Sequence, residues 1–234
     1  DYLAYMKEMV QKYTDKPERV RIIEGGKERM DSIHNVTDAI LKDEGVHEDD
    51  VIVIHDAVRP LVTEKILNDS IDAAGTYGAC VCGLPAVDTM LYSEDGKVVT
   101  TIPERSKLFN GQAPDSFSLP RFLEMQANLT EEQREVITGT SQICTMNNQP
   151  IYIIEGDPLN FKLTTDGDLT CLLKCLYEKN EQNKELHLST AVGCVQRSEF
   201  LDNVDIRMLY QEADRRMYVH KQKMKEKNPE LYRR

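Results

Sequence analysis

The sequence predicts an α/β fold: a doubly wound, mostly parallel sheet with a β-hairpin arm, followed by a C-terminal strand and long helix. Three observations carry this. Extended and helical patterns alternate through residues 19–83, which builds βαβ units. Val51-Ile-Val-Ile54 is β-branched on both faces, as suits a strand covered by helices on both sides. Finally, Met90-Leu-Tyr92 and Lys97-Val-Val-Thr-Thr101 flank the acidic turn Ser93-Glu-Asp-Gly96, which reads as a hairpin and not as another crossover.

Taken in order, residues 1–13 have the apolar spacing of an amphipathic helix. Strand 19–23 precedes helix 29–42, strand 51–55 precedes helix 63–74, and strand 78–83 follows. The arm occupies residues 87–109. Helices are expected over 119–127 and 131–137, the second opened by Thr130 as N-cap, and a late strand over 151–154. Thr164-Thr-Asp-Gly-Asp-Leu169 reads as a helix start, capped by Thr165 or Asp166, with Asp168 near the positive end of the dipole and the helix ending by Glu178. The polar stretch 178–184 is a junction, so the chain divides into residues 1–179 and 185–234. Beyond it lie an expected strand, 186–195, and a long helix, 205–227, with an apolar stripe and a basic tail.

A chain of 234 residues can bury a sizeable core, and a net charge of -11 argues against nucleic acid or an anionic membrane as the main partner. No apolar run reaches the roughly 20 residues that cross a bilayer, and no charged-then-apolar leader opens the chain, so a cytoplasmic location is expected. The six cysteines, at 80, 82, 144, 171, 175 and 194, lack CxxC spacing or a partnering His cluster. They read as buried thiols: Cys80 and Cys82 share one strand face, and Cys171 and Cys175 sit one helical turn apart.

The chemistry concentrates after the strand at 51–55, in His55-Asp-Ala-Val-Arg-Pro60. Ligands bind at the carboxyl ends of strands in open α/β sheets. Asp56 could hold a metal ion or ribose hydroxyls, and Arg59 could pair with a phosphate; an ordinary salt-bridged loop would use the same residues. Two further segments lead into helices: Gly25-Gly-Lys-Glu-Arg-Met-Asp-Ser32, and Gly156-Asp-Pro-Leu-Asn-Phe-Lys-Leu-Thr-Thr165.

The order GGxxRxxS, HDAVRP, GQAP, GDPLNFKLTT resembles the sugar-phosphate cytidylyltransferases that make CDP-ribitol or CDP-methylerythritol, the ribitol 5-phosphate branch being nearer. The likeness runs from about residue 1 to 177 and implies a Rossmann-like fold. It implies transfer of CMP from CTP to a polyol phosphate with release of pyrophosphate, assisted by Mg²⁺ or another divalent cation. It also implies a homodimer in which the 87–109 arm reaches across to a second subunit. On this likeness Gly25, Gly26 and Ser32 lie near base and ribose, with Arg29 in the same turn. Asp56 serves ribose and metal, and Ala57 and Arg59 continue its loop. Arg105 and Lys162 face the sugar phosphate as catalytic residues, with Thr138 and Thr165 completing the binding set.

Departures from the family pattern carry their own expectations. Gln112-Ala-Pro-Asp115 stands where the family reads Gln-Thr-Pro-Gln, which adds a carboxylate expected to repel substrate. Thr138-Gly139 stands for a Thr-Asp pair. The family's opening strand and triphosphate loop have no counterpart in this sequence, so weak or no turnover by this chain alone is expected. The alternatives are a non-catalytic nucleotide-binding or oligomerising module and, less favoured, a cyclic-dinucleotide signalling protein. The last thought comes from the C-terminus, where Ala213, Asp214, Met217, Tyr218 and Lys221 resemble the final helix of a diguanylate cyclase (GGDEF) domain whose catalytic motif is absent here.

Overall fold

A computed structural model describes residues 2–43 and 45–182, with the isolated residues 215, 219, 222, 223 and 226. The expected strand 186–195, the helix 205–227 as a whole and Cys194 lie outside the described residues. The chain divides into two compact units, Asp1–Lys162 and Leu163–Arg234.

In the first unit, helix α1 (Tyr2–Tyr13) is followed by a 3-10 turn at Pro17–Arg19 and by α2 (Arg29–Asp43). Strand β1 (Val51–Ile54) leads to α3 (Glu64–Tyr77), and β2 (Ala79–Pro85) to the arm. Then come β3 (Phe109–Ser118), α4 (Leu119–Ala127), α5 (Glu131–Val136), α6 (Ser141–Met146) and β4 (Tyr152–Glu155). The caps explain several boundaries. Thr63 accepts from the Ile66 amide, so α3 starts after it, and Gly78 ends α3 at φ 86°, in the left-handed region glycine enters without strain. Thr130 and Gln133 form a capping box on α5.

The sheet has the order β1-β3-β2-β4. The α/β class is as expected, and the sheet is mixed where a mostly parallel one was expected: β3 runs antiparallel to both neighbours, and only β2 and β4 pair in parallel. The physical reason lies in the connection. The chain leaves β2 and returns through the arm without a helical crossover, closing with the Ala86 amide on the Leu108 carbonyl at 2.9 Å, so the returning strand lies antiparallel beside the one it left. β1, β2 and β4 still share one direction, which keeps their carboxyl ends on one edge.

A bulge interrupts β3. Val81 pairs with Asp115 and its neighbour Cys82 with Gln112, leaving Ala113 and Pro114 opposite no residue of β2. Proline, which has no N–H to give to a ladder, is suited to such a place.

The core is built on Phe117, Phe122, Met125, Leu129, Ile143, Cys144 and Ala79, with the Phe117 and Phe122 rings 4.7 Å apart. α3 touches all four strands, and α4 and α6 pack on β3 and β2 respectively. Burying side chains of the Leu, Ile, Phe and Met class stabilises by about 1.5–3 kcal/mol each, so this cluster holds the strand ends in place.

Other sequence expectations are revised. Residues 20–23 join no described strand, because β-branched composition favours extended backbone but pairing also requires a neighbouring edge. The arm contains a single β-bridge, Tyr92 to Thr101, and its tip is fixed by Asp95, which accepts from the Lys97 and Val98 amides at 2.8 and 2.9 Å; it is less of a hairpin than expected. Cys80, Cys82 and Cys144 are buried as expected, whereas Cys171 is exposed and Cys175 half-buried, so the pairing of those two in a core was wrong. α6 was unforeseen because Ser141–Met146 is too short to show a period. In the second unit α7 (Asp166–Gln182) runs past Glu178, and Asp168 accepts from the Thr164 and Thr165 amides at 2.8 and 2.7 Å at its start.

Candidate active site

The turn before α2 is closed by side chains. Ser32 Oγ accepts from the Gly26 amide at 3.0 Å, and Asp31 from the Glu28 amide at 3.1 Å. A Cβ on Gly26 would lie 2.0 Å from Asp31 Cβ, so only glycine lets the chain approach this closely. The result places Arg29 on the first residue of α2, facing the exit of β1.

At that exit Asp56 meets three cations. Arg59 Nε lies 3.3 Å and Lys162 Nζ 3.4 Å from Oδ2, while Arg29 Nη2 lies 3.8 Å from Oδ1. Burial alone pushes the Asp56 carboxyl up, but Lys162, the Arg59 hydrogen bond and Arg29 together outweigh it and hold the group below the usual carboxylate range. Three cations around one ionised carboxylate leave a surplus of positive charge, which suits a phosphate.

Lys162 reaches this point because its loop is tied to the sheet. Gln112 Nε2 donates to the Asp157 carbonyl at 2.9 Å, and its Oε1 accepts from the Asp157 amide at 3.2 Å. Asn160 Nδ2 donates to the Ala113 carbonyl at 2.8 Å, and Arg59 Nη1 to the Asn160 carbonyl at 2.7 Å. A Cβ on Gly156 would sit 2.6 Å from Gln112 Oε1, so this close seat also needs glycine.

Arg29, Asp56, Arg59 and Lys162 line one cavity of about 260 Å³. Asp115, Thr138, Gly139 and Ser141 line it as well, so two of the departures from the family pattern border one cavity. Asp115 is hydrogen-bonded to the Thr140 hydroxyl, and Gln142 Oε1 collects the Thr138 amide and hydroxyl and the Gly139 amide at 2.7, 3.0 and 3.0 Å. A second, more apolar slot of about 430 Å³ runs between α2 and β1, lined by Ile33, Val36, Ile52 and Ile54, and shares Arg29 and Asp56 with the first. Ser32 lines it too. A larger cavity, about 660 Å³, shares Arg29 with both and Thr138 with the first, but is lined by neither Asp56 nor Lys162.

The model of the 2-C-methyl-D-erythritol 4-phosphate cytidylyltransferase family, IspD, matches residues 4–176. This chain belongs to the IspD family. Solved relatives agree. The 2-C-methyl-D-erythritol 4-phosphate cytidylyltransferase of Thermus thermophilus is 25% identical with a TM-score of 0.55, over 67% of this chain and 72% of that one. The 4-diphosphocytidyl-2C-methyl-D-erythritol synthase of Anaerococcus prevotii DSM 20548 shares the fold at 22% identity and a TM-score of 0.61, over 74% and 76%. The bifunctional IspDF of Campylobacter jejuni matches at 21% identity and a TM-score of 0.55, over 72% of this chain and 39% of its own. IspD enzymes act on CTP and a sugar phosphate.

Against the sequence-derived site, Arg29, Asp56, Arg59, Thr138 and Lys162 share a cavity, and Gly25, Gly26 and Ser32 form the turn beside it. Ala57 is exposed in the loop after Asp56. Arg105 lies on the arm, where Nη1 donates to the Val87 carbonyl at 2.8 Å, and it does not line the cavity. Thr165 belongs to the second unit, where its hydroxyl accepts from the Asp168 amide at 3.2 Å as the N-cap of α7. Sequence reasoning missed Gln112 and Asn160, which organise the loop; their only signal was membership of GQAP and GDPLNFK. Among the described residues no cluster of three or more His, Cys, Asp or Glu side chains offers a ready metal cage, and no helix is long and apolar enough to cross a membrane.

Proposed function

We propose that this chain transfers CMP from CTP to a polyol phosphate, with ribitol 5-phosphate the favoured acceptor. The observation that supports it is the convergence of Arg29, Arg59 and Lys162 on Asp56 in a cavity beside an apolar slot. The slot fits a pyrimidine and ribose, and the cationic cavity fits phosphates. An oxygen of the acceptor phosphate attacks the α-phosphorus of CTP. The new O–P bond forms as the bond to the β-phosphate oxygen breaks, and pyrophosphate leaves with that electron pair. The protein supplies position and positive charge.

Asp56 suits one divalent cation. Its Oδ2 serves Arg59 and Lys162, while Oδ1 is beyond hydrogen-bond distance of Arg29, and Mg²⁺ is commonly held by one or two carboxylates plus substrate phosphates. Bound there, Mg²⁺ would neutralise charge on the triphosphate. The arm exposes Val87, Val98 and Ile102 at 79%, 66% and 59%, an apolar surface suited to a second copy of the chain, and it carries Arg105 outward toward that partner.

The family match favours 2-C-methyl-D-erythritol 4-phosphate as the competing acceptor. Pyrophosphate release from CTP and Mg²⁺, measured with each polyol phosphate in turn, decides between them. Binding of CTP with no release for either acceptor would replace this reading with a non-catalytic nucleotide-binding module.

A further inference from the structure

We propose that Asp115 is a specificity-determining residue, accepting a hydrogen bond from a hydroxyl group on the carbon chain of the acceptor while the cations of the same cavity hold its phosphate. This rests on the cytidylyl-transfer reading above. Asp115 is only 9% exposed, yet it lines the same cavity as Arg59 and Lys162. The Thr140 hydroxyl donates to its Oδ2 and fixes the carboxylate in place. A polyol phosphate offers a dianion at one end and hydroxyl donors along the chain, and this cavity is lined by three cations and by a fixed carboxylate acceptor.

The charged and titratable groups acting on Asp115 are few. Arg29, at the start of α2, draws it down, and Asp56, after β1, pushes it up. The thiols of Cys80 on β2 and Cys144 on α6 are pushed up to about 11, and that of Cys82 is also raised, so all three are neutral near pH 7. Burial is the largest influence and raises the Asp115 carboxyl above its ordinary range. Acceptor recognition therefore weakens as pH falls and the carboxylate takes up a proton.

The test is a binding cycle on the full chain with CTP present, comparing ribitol 5-phosphate with pentyl phosphate, which has the phosphate and no hydroxyls. Wild type is expected to prefer the polyol, and Asp115→Asn to shrink that preference by roughly 10-fold or more, the loss of a hydrogen bond to a charged acceptor. The acidic limb of polyol binding should flatten to what the phosphate's own ionisation leaves. If Asp115→Asn loses its cooperative unfolding transition, Thr140→Val, which frees the carboxylate without removing it, must show the same shrinkage. An unchanged preference in the folded variant overturns this inference and leaves the transferase reading standing. Wild type that binds both acceptors equally also overturns it, and wild type that binds and turns over neither polyol phosphate overturns both.

Discussion

Replacing Arg59 tests how the site is held together. Its side chain is 11% exposed and makes two contacts: Nε with Asp56 Oδ2 at 3.3 Å, and Nη1 with the Asn160 carbonyl at 2.7 Å. In Arg59→Met the stem remains and both contacts go. Asp56 keeps Lys162 and Arg29, so its share of the loss is about 0.2–1 kcal/mol. The Asn160 carbonyl loses a charged donor, which costs about 1.5–3 kcal/mol. Together these give about 2–4 kcal/mol, or a fall in Tm on the order of 5–15 °C for a chain of this length. The folded pKa of Asp56 lies below its unfolded one, so its stabilisation exists above the unfolded pKa and vanishes as pH falls through the folded value. In the variant that folded value rises, and acid unfolding should begin at a higher pH. Thermal unfolding followed by circular dichroism, in water and across an acid series, reads both effects. A fall in Tm under about 2 °C would refute the reasoning, because the two loops would then be held together by something else. Arg59→Lys sharpens the result: it keeps the charge but cannot span both partners, so it should lose most of the stability that the methionine variant loses.

Gly26→Ala forces a Cβ to within 2.0 Å of Asp31, so the turn before α2 must open; loss of about 1–3 kcal/mol and weaker CTP binding by calorimetry are expected. For Asp115 burial raises the folded pKa above the unfolded one, so wild type is most stable below the unfolded value and loses stability as pH rises through the folded value. Asp115→Asn lacks that titration, and its Tm relative to wild type should therefore climb as pH rises from the unfolded value through the folded one. Val98→Asp combined with Ile102→Asp places charge on the exposed arm; if the proposed homodimer forms through it, sedimentation should show a dimer for wild type and a monomer for the variant, and a monomeric wild type would refute the proposal.

What could be read from the sequence was what local patterns encode. Val51–Ile54 announces a strand by composition, and the motif after it brings Asp56 and Arg59 to a strand's carboxyl end. The meeting of Lys162 with Asp56 was legible only as a shared sheet edge, since the residues that enforce it, Gln112 and Asn160, carry no charge and no period. The antiparallel β3 was hidden because its ten residues, Phe109–Ser118, hold a glycine, a proline and several polar side chains, a poor strand by propensity. Its place between β1 and β2 is a tertiary fact that no short window contains. Asp115 was legible as a departure, but its surroundings were not: a solvated carboxylate beside phosphate would only repel, whereas this one is buried and anchored by the Thr140 hydroxyl.

The bulge in β3 spaces two residues of the site along one strand and keeps their parity. Along a regular strand side chains alternate, so residues separated by an odd number fall on opposite faces. Gln112 and Asp115 are such a pair, and the two unpaired residues Ala113 and Pro114 leave that parity unchanged: Gln112 lies opposite Cys82 and Asp115 opposite its neighbour Val81, yet both border the cavity. One side chain positions the lysine loop and the other faces the acceptor, so both duties come from a single strand, one on each side of the bulge. Insertion or deletion of one residue between them would invert that parity and turn one of the two to the other face of the strand, leaving the composition of the site nearly intact while separating its halves.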